Sequence, residues 1–519
     1  MNYALSVPIG ILALLTASAI PLHAEVKLPA VISSHMVLQR ELAAPVWGTA
    51  TAGEDVTVSI AGQKKSVKTG ADGKWQVKLD PMKASEESRT MTISGENTLT
   101  LEDVLVGEVW LGAGQSNMNY GSKNYTKYDS LLAELASKKH PLIRLKMCQP
   151  NGWVMAEGEN NQEFSALLLS YAVRLQEELK VPVGVMMGSY NGTPSTVWLS
   201  KQAFAEDAAC QEVIKKALAT YPAAEIQKKY DQQIADWEKA TAAAKEKGQT
   251  DLPRKPETPR KPGELHEEAG GYYEHYIRPL IPYGIRGVLW DQGESGTAET
   301  GMDQYTLMGA LIRGWRKDWK QGDFPFLYVQ KPSGEGCTYD MKDPETKKES
   351  PFTKLPNEVP EDGQYREIHL RIREYPNTAM VSSSDLGGGE HPPIKSGYGT
   401  RAARVASGFV YKVKTEIYGP IYKSHRIEGN KARISFTHVG KGLVFRGGEK
   451  LQGFAIAGDD GKFVWADAVI DGDSVVLTSA KVAKPVSLRY AWSQTQAWAN
   501  LFNKDGLPAL SFRTDRATN

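Results

Sequence analysis

The chain has 519 residues, enough for more than one domain and for several buried cores. Its 62 Lys and Arg offset 61 Asp and Glu, and the net charge of +1 excludes a general electrostatic affinity for nucleic acid or an anionic membrane surface. Charged residues (24%) and hydrophobic ones (41%) stand in the proportions of an ordinary soluble protein.

The first 24 residues read as an export signal. Ile9 to Ile20 is apolar but too short to span a bilayer, and Pro21-Leu-His-Ala24 ends on a small residue suited to cleavage. The mature chain is expected from about Glu25, secreted or periplasmic, with no membrane insertion after signal removal. Cys148, Cys210 and Cys337 are odd in number and widely scattered, which is neither a disulfide framework nor a metal-ligand spacing, so buried thiols are expected.

Residues 25–105 have β texture. Val56-Thr-Val-Ser-Ile60 and Trp75-Gln-Val-Lys-Leu79 alternate apolar and polar positions, and turn signals such as Gly70-Ala-Asp-Gly73 separate them. Short strands at this spacing predict a β-sandwich. From Val104 the pattern changes to strand, loop and helix in repetition, which predicts an α/β domain over 106–415 with a mainly parallel sheet. Val104 to Leu111, Val183 to Met187, Ile285 to Trp290 and Phe326 to Gln330 are its strand candidates, and Phe164 to Leu179 and Tyr305 to Trp319 are helical. An insertion at 201–265 interrupts it. Glu206 to Lys247 predicts one or two helices with solvated charge, and the four prolines between Asp251 and Pro262 predict an extended linker. Residues 416–519 return to β texture, a second sandwich-like unit.

The candidate chemistry lies where strands end. Gly112-Ala-Gly-Gln-Ser-Asn-Met118 follows a buried strand, and its small residues let the chain turn sharply, leaving Ser116 at the strand's carboxyl end. A serine there is a nucleophile if a base reaches it, and otherwise caps a turn. His391 is the residue type suited to take its proton near neutral pH. The backbone of Gly192 and of Ser116, and the side-chain amide of Gln292, are candidate donors to a developing oxyanion. Gly293-Glu-Ser-Gly296 lacks the glycine spacing of a nucleophile elbow, so Ser295 is not the nucleophile. His266-Glu-Glu lacks the second histidine of a zinc-protease helix.

Taken together, Gly114-Gln-Ser-Asn-Met118, Asn191-Gly-Thr-Pro194, Trp290-Asp-Gln-Gly-Glu-Ser295 and His391-Pro resemble, in order, the blocks of SGNH-type carbohydrate esterases, and within them the sialate O-acetylesterase group. Ser34-His-Met-Val-Leu-Gln-Arg40, Pro45-Val-Trp-Gly48 and Asn500 to Pro508 extend the resemblance over nearly the whole mature chain. It implies a flavodoxin-like three-layer α/β core with attached N- and C-terminal β domains. It further implies metal-independent and cofactor-free removal of acetyl esters from sugar hydroxyls, with an O-acetylated sugar as the partner. Carried over, Ser116 is nucleophile and His391 base, with Gly192 and Gln292 in the oxyanion hole. Members often carry an acid two residues before the histidine, where this chain has Gly389. The orienting acid expected here is Asp385, with Glu390 or a Ser–His dyad as alternatives. Acetylated plant polysaccharide on the same scaffold, and a non-catalytic sugar-binding protein, are the rival readings.

Overall fold

A single strand of 17 residues, β1 (Thr98–Gly114), joins the two N-terminal parts of the chain. In this computed structural model, which describes residues 25–148, 150–331 and 352–515, it runs through residue 105 without a break. The expected signal segment and Cys337 lie outside the described residues. The first half of β1 pairs antiparallel with Ser85–Ser94, which in turn pairs with Asp55–Ile60. Val37–Gln39 lies parallel to Leu105–Gly107, and Pro45–Thr49 pairs with Lys74–Lys78 in a separate two-stranded sheet. Alternation puts Val46, Trp75 and Val77 of that small sheet into one core with Val56, Val58, Met91 and Ile93.

From Val104 onward every residue of β1 is buried. Here it becomes the centre of a second sheet with β2 (His140–Lys146), β3 (Trp153–Ala156), β4 (Val183–Ser189), β5 (Gly287–Asp291), β6 (Phe326–Val329) and β7 (Thr378–Val381). The order is β7-β6-β5-β1-β4-β2-β3, parallel throughout except for the antiparallel β2–β3 pair. Strands apolar on both faces must be covered on both. Helices α1 (Ala166–Leu179) and α3 (Lys395–Phe409) cover one face, packing on Trp110, Val185, Leu289 and Val381. Helix α2 (Gln304–Trp319) covers the other with Leu311, Ile312 and Trp315 against Val109, Leu111, Val288 and Trp290. Ser165 caps α1 through Leu168 N–H, and Asp303 caps α2 through Thr306 N–H. The architecture is α/β with helices on both sides of a mostly parallel sheet.

In the insertion, helices span Ala208–Ala219 and Ala223–Glu246, and in the second only Ala244 is buried. The proline-rich stretch does not hang free. Trp237 Nε1 donates to the Pro253 carbonyl (2.8 Å) and Lys255 lies over the Trp237 ring, so the stretch folds back along the helix. Toward the C-terminus two four-stranded antiparallel sheets share a core of Ile434, Val475 and Leu477 with Phe454, Ile456 and Leu488. Cys148 and Cys210 carry free thiols. Among the described residues no helix is long and apolar enough to cross a membrane.

Candidate active site

The carboxyl ends of β1, β4 and β5 and the loop after β7 converge on Ser116. Gly114 ends β1 at φ +131°, and a Cβ there would lie 2.1 Å from the Asp291 carbonyl oxygen, so only glycine lets the ends of β1 and β5 approach this closely. The chain then turns through Gln115 into one helical turn, Ser116–Asn119, which begins at the serine. Ser116 is buried, and its N–H, as the first of that turn, donates to no acceptor among the described residues.

His391 Nε2 lies 2.8 Å from Ser116 Oγ, although 275 residues separate them in sequence. The imidazole rests edge-on against Tyr120, with ring centroids 5.3 Å apart. Its preceding peptide is fixed by Asn117, whose Nδ2 donates to the Glu390 carbonyl (2.9 Å). The pair has nucleophile–base geometry.

Gly192 lies on the loop after β4, at φ +67°, with an N–H that meets no acceptor among the described residues. Asn119 holds the loop: its Nδ2 donates to Asn191 Oδ1 (3.0 Å), and its Oδ1 accepts from Ser189 Oγ (3.1 Å). The backbone amides of Ser116 and Gly192 are thus both left without an acceptor among the described residues.

Two of the expected roles are corrected. Asp385 does not orient His391. Both of its carboxylate oxygens are taken by the Arg401 guanidinium on α3, one of them at 3.0 Å, and both residues are buried. Glu390 is exposed, and only its carbonyl is bonded. Among the described residues no carboxylate reaches His391, so the geometry is that of a Ser–His dyad. Gly389 stands at φ +79°, a left-handed conformation that most side chains resist, which accounts for the missing acid at that position.

Gln292 is likewise not a free oxyanion donor. It is fully buried, and its Nε2 donates to the carbonyls of Thr193 (3.1 Å) and Gly296 (3.3 Å) while its Oε1 accepts from Ser195 Oγ (2.5 Å). Both its amide hydrogens and its carbonyl oxygen are engaged, and the bonds to Thr193 and Ser195 brace the loop that carries Gly192.

Beneath the serine lies a charged layer that the sequence did not announce. Glu294 grips both neighbours of Ser116, accepting from Gln115 Nε2 and from Asn117 Nδ2 (3.0 Å). Lys331, fully buried, lies 2.6 Å from both Glu294 and Asp291. Lys395 donates to Asn117 Oδ1 (2.5 Å) between the rings of Tyr125 and Tyr398. Burial opposes the charge on Lys331, yet Asp291 and Glu294 outweigh it and raise its pKa. Burial raises Asp291 more than Lys331 lowers it. Glu294, also penalised by burial, is held down by Lys331. Among the described residues no carboxylate directly contacts Lys395, and burial pushes its pKa down to about 7. His369, buried beside Lys331, falls to about 3 from burial first and that lysine second, and is neutral. A lysine just past a strand, as Lys331 is, or opening a helix, as Lys395 does, carries no local mark of burial.

No family model matches the chain. Among curated proteins it is 26% identical to a sialate O-acetylesterase of Rattus norvegicus, covering 94% of this chain and 93% of the relative. It is 26% identical to a sialate O-acetylesterase of Homo sapiens, covering 89% and 86%. Among solved structures, a carbohydrate acetylesterase from Xanthomonas citri superimposes with a TM-score of 0.73 at 27% identity, over 95% of this chain and all of that one. The resemblance read from the motifs is thus matched by relatives of that name along nearly the full length.

Proposed function

We propose that this chain is a carbohydrate esterase that removes O-acetyl groups from sugars through a serine-bound acetyl intermediate, with O-acetylated sialic acid as its foremost substrate. The observation that carries the reading is the 2.8 Å approach of His391 Nε2 to Ser116 Oγ at the carboxyl end of a parallel sheet. The names of the relatives support acetylated sugars as the substrate class.

In this reading Ser116 Oγ attacks the acetyl carbonyl carbon while its proton passes to His391 Nε2. The carbonyl π electrons move onto oxygen, which the amides of Ser116 and Gly192 receive. Each such preorganised donor is worth about 3 kcal/mol in the transition state. Collapse expels the sugar oxygen, which takes the proton back from His391. Water then gives a proton to the same nitrogen and attacks the acetyl-enzyme. On collapse His391 returns that proton to the departing Ser116 Oγ, freeing acetic acid, which ionises to acetate. Gln292 acts at one remove, by holding Gly192 in place. The same reading takes the core, residues 106–415, as a flavodoxin-like SGNH hydrolase between β domains at 25–105 and 416–519, exported by residues 1–24.

Acetate release from O-acetylated sialic acid and from acetylated xylan, with wild type beside Ser116→Ala, tests it. Release from the sialic acid that is lost in the variant bears the reading out. A preference for xylan keeps the mechanism and changes the substrate. No release from either, with p-nitrophenyl acetate also intact, overturns catalysis.

A further inference from the structure

Next to the catalytic loop stands an aromatic ring that folding does not bury. Tyr190, the residue before Asn191-Gly192, is 45% exposed. Its backbone is nonetheless fixed: its N–H donates to the Gly114 carbonyl (3.0 Å), two residues before Ser116, and its carbonyl accepts from Thr193 Oγ1 (2.9 Å). The ring is held as well. It lies against Tyr272 and Tyr276 with centroids 5.0 and 5.9 Å away, and those two rings stack on each other at 5.7 Å and 11°. Trp198 supports Tyr272 and Tyr276 at 5.5 and 6.0 Å and donates its Nε1–H to Thr193 Oγ1.

A ring present only for packing gains by being covered, at roughly 25 cal/mol per Å² of apolar surface. This one is braced by other rings and left half open to solvent. Its backbone bonds do not depend on its side chain, so a small polar residue would serve the loop equally well. Sugar rings offer an apolar C–H face that an aromatic plane can cover while their hydroxyls keep polar partners. One such partner stands next in sequence: Asn191 accepts from Asn119 through Oδ1, and its Nδ2 meets no acceptor among the described residues.

We propose that Tyr190, braced by Tyr272 and Tyr276, is a sugar subsite that stacks on the C–H face of a pyranose ring in the glycan whose acetyl ester is presented to Ser116. This rests on the esterase reading and adds to it the feature that separates a glycan ester from a small acyl ester. The bonds from Tyr190 to Gly114 and Thr193 set the distance between the stacked ring and the reacting carbonyl, so stacking also orients the ester toward the Gly192 N–H.

The test compares kcat/KM for an acetylated oligosaccharide with kcat/KM for p-nitrophenyl acetate in wild type, Tyr190→Ala and Tyr190→Phe. The expected result is a fall of about tenfold in the glycan-to-small-ester ratio for Tyr190→Ala, carried mainly by KM, with the ratio restored in Tyr190→Phe. An unchanged ratio overturns the subsite. So does an equal loss on both substrates, which marks Tyr190 as a structural support of the loop. A wild-type protein that cleaves p-nitrophenyl acetate but no acetylated sugar overturns acetylated sugars as the substrate class, and the subsite with it.

Discussion

The hydroxyl of Ser116 and the imidazole of His391 meet at 2.8 Å, and each has a separate requirement in the chain around it. Ser116 needs Gly114, where no side chain fits beside the Asp291 carbonyl. His391 needs the Asn117 bond to Glu390 and the edge of Tyr120. Replacing Ser116 by Ala is expected to lower acetate release at least ~10³-fold without unfolding the protein, as activity and circular dichroism on one sample will show. Asp385 behaves differently. With its carboxylate on Arg401, Asp385→Asn leaves a buried cation uncompensated and is expected to cost about 3–5 kcal/mol in urea unfolding, while the remaining activity keeps the wild-type pH profile. A profile altered in shape would return Asp385 to the catalytic machinery. Serine and histidine were legible because their blocks have fixed local spacing. Asp385 was misread because a catalytic and a structural aspartate look alike in a loop. What separates them is Arg401, 16 residues on, one of several cations that could have faced it.

At the scale of elements, the loop after β5 does the supporting. Gln292 braces the Gly192 loop, and two residues later Glu294 grips Gln115 and Asn117 on either side of Ser116. The motif Trp290 to Ser295 was readable, but as an oxyanion donor rather than as a brace, since sequence gives the amide and not what saturates it. Glu294→Ala removes both grips and half of the Lys331 pairing. It is expected to lower kcat by up to ~10²-fold with a smaller change in KM, because a displaced nucleophile loses rate before it loses binding. Steady-state kinetics on p-nitrophenyl acetate checks this; a change in KM alone would remove Glu294 from the positioning of Ser116.

For the whole molecule, β1 belongs to two sheets at once, and one apolar core runs from Val46 and Trp75 through to Trp290 and Trp315. A chain lacking residues 25–97 is therefore expected to show no cooperative unfolding transition, followed by tryptophan fluorescence. Charge burial sets a second global property. Lys395 has a folded pKa of about 7, below the ~10.4 of an unfolded lysine, so between those values the unfolded chain holds more protons. The contribution of this group then makes stability rise with pH from about 7 to 10, and it is least favourable below that window. Urea midpoints across the window, compared with Lys395→Met, should show the steeper rise in the wild type; parallel curves would mean that Lys395 is charged in its site.

The sequence by itself determined the succession of β, α/β and β texture, the ends of strands where chemistry could stand, and the serine and histidine that stand there. These are carried by local periods of two and 3.6 residues and by glycine-rich breaks, which act through backbone sterics over a few neighbours. Only the tertiary structure decided partners: Asp385 with Arg401, Gln292 with its loop, Lys331 between Asp291 and Glu294, and Tyr190 braced by Tyr272 and Tyr276. Whom a side chain meets depends on which loops converge at a sheet's edge, and no local pattern encodes that.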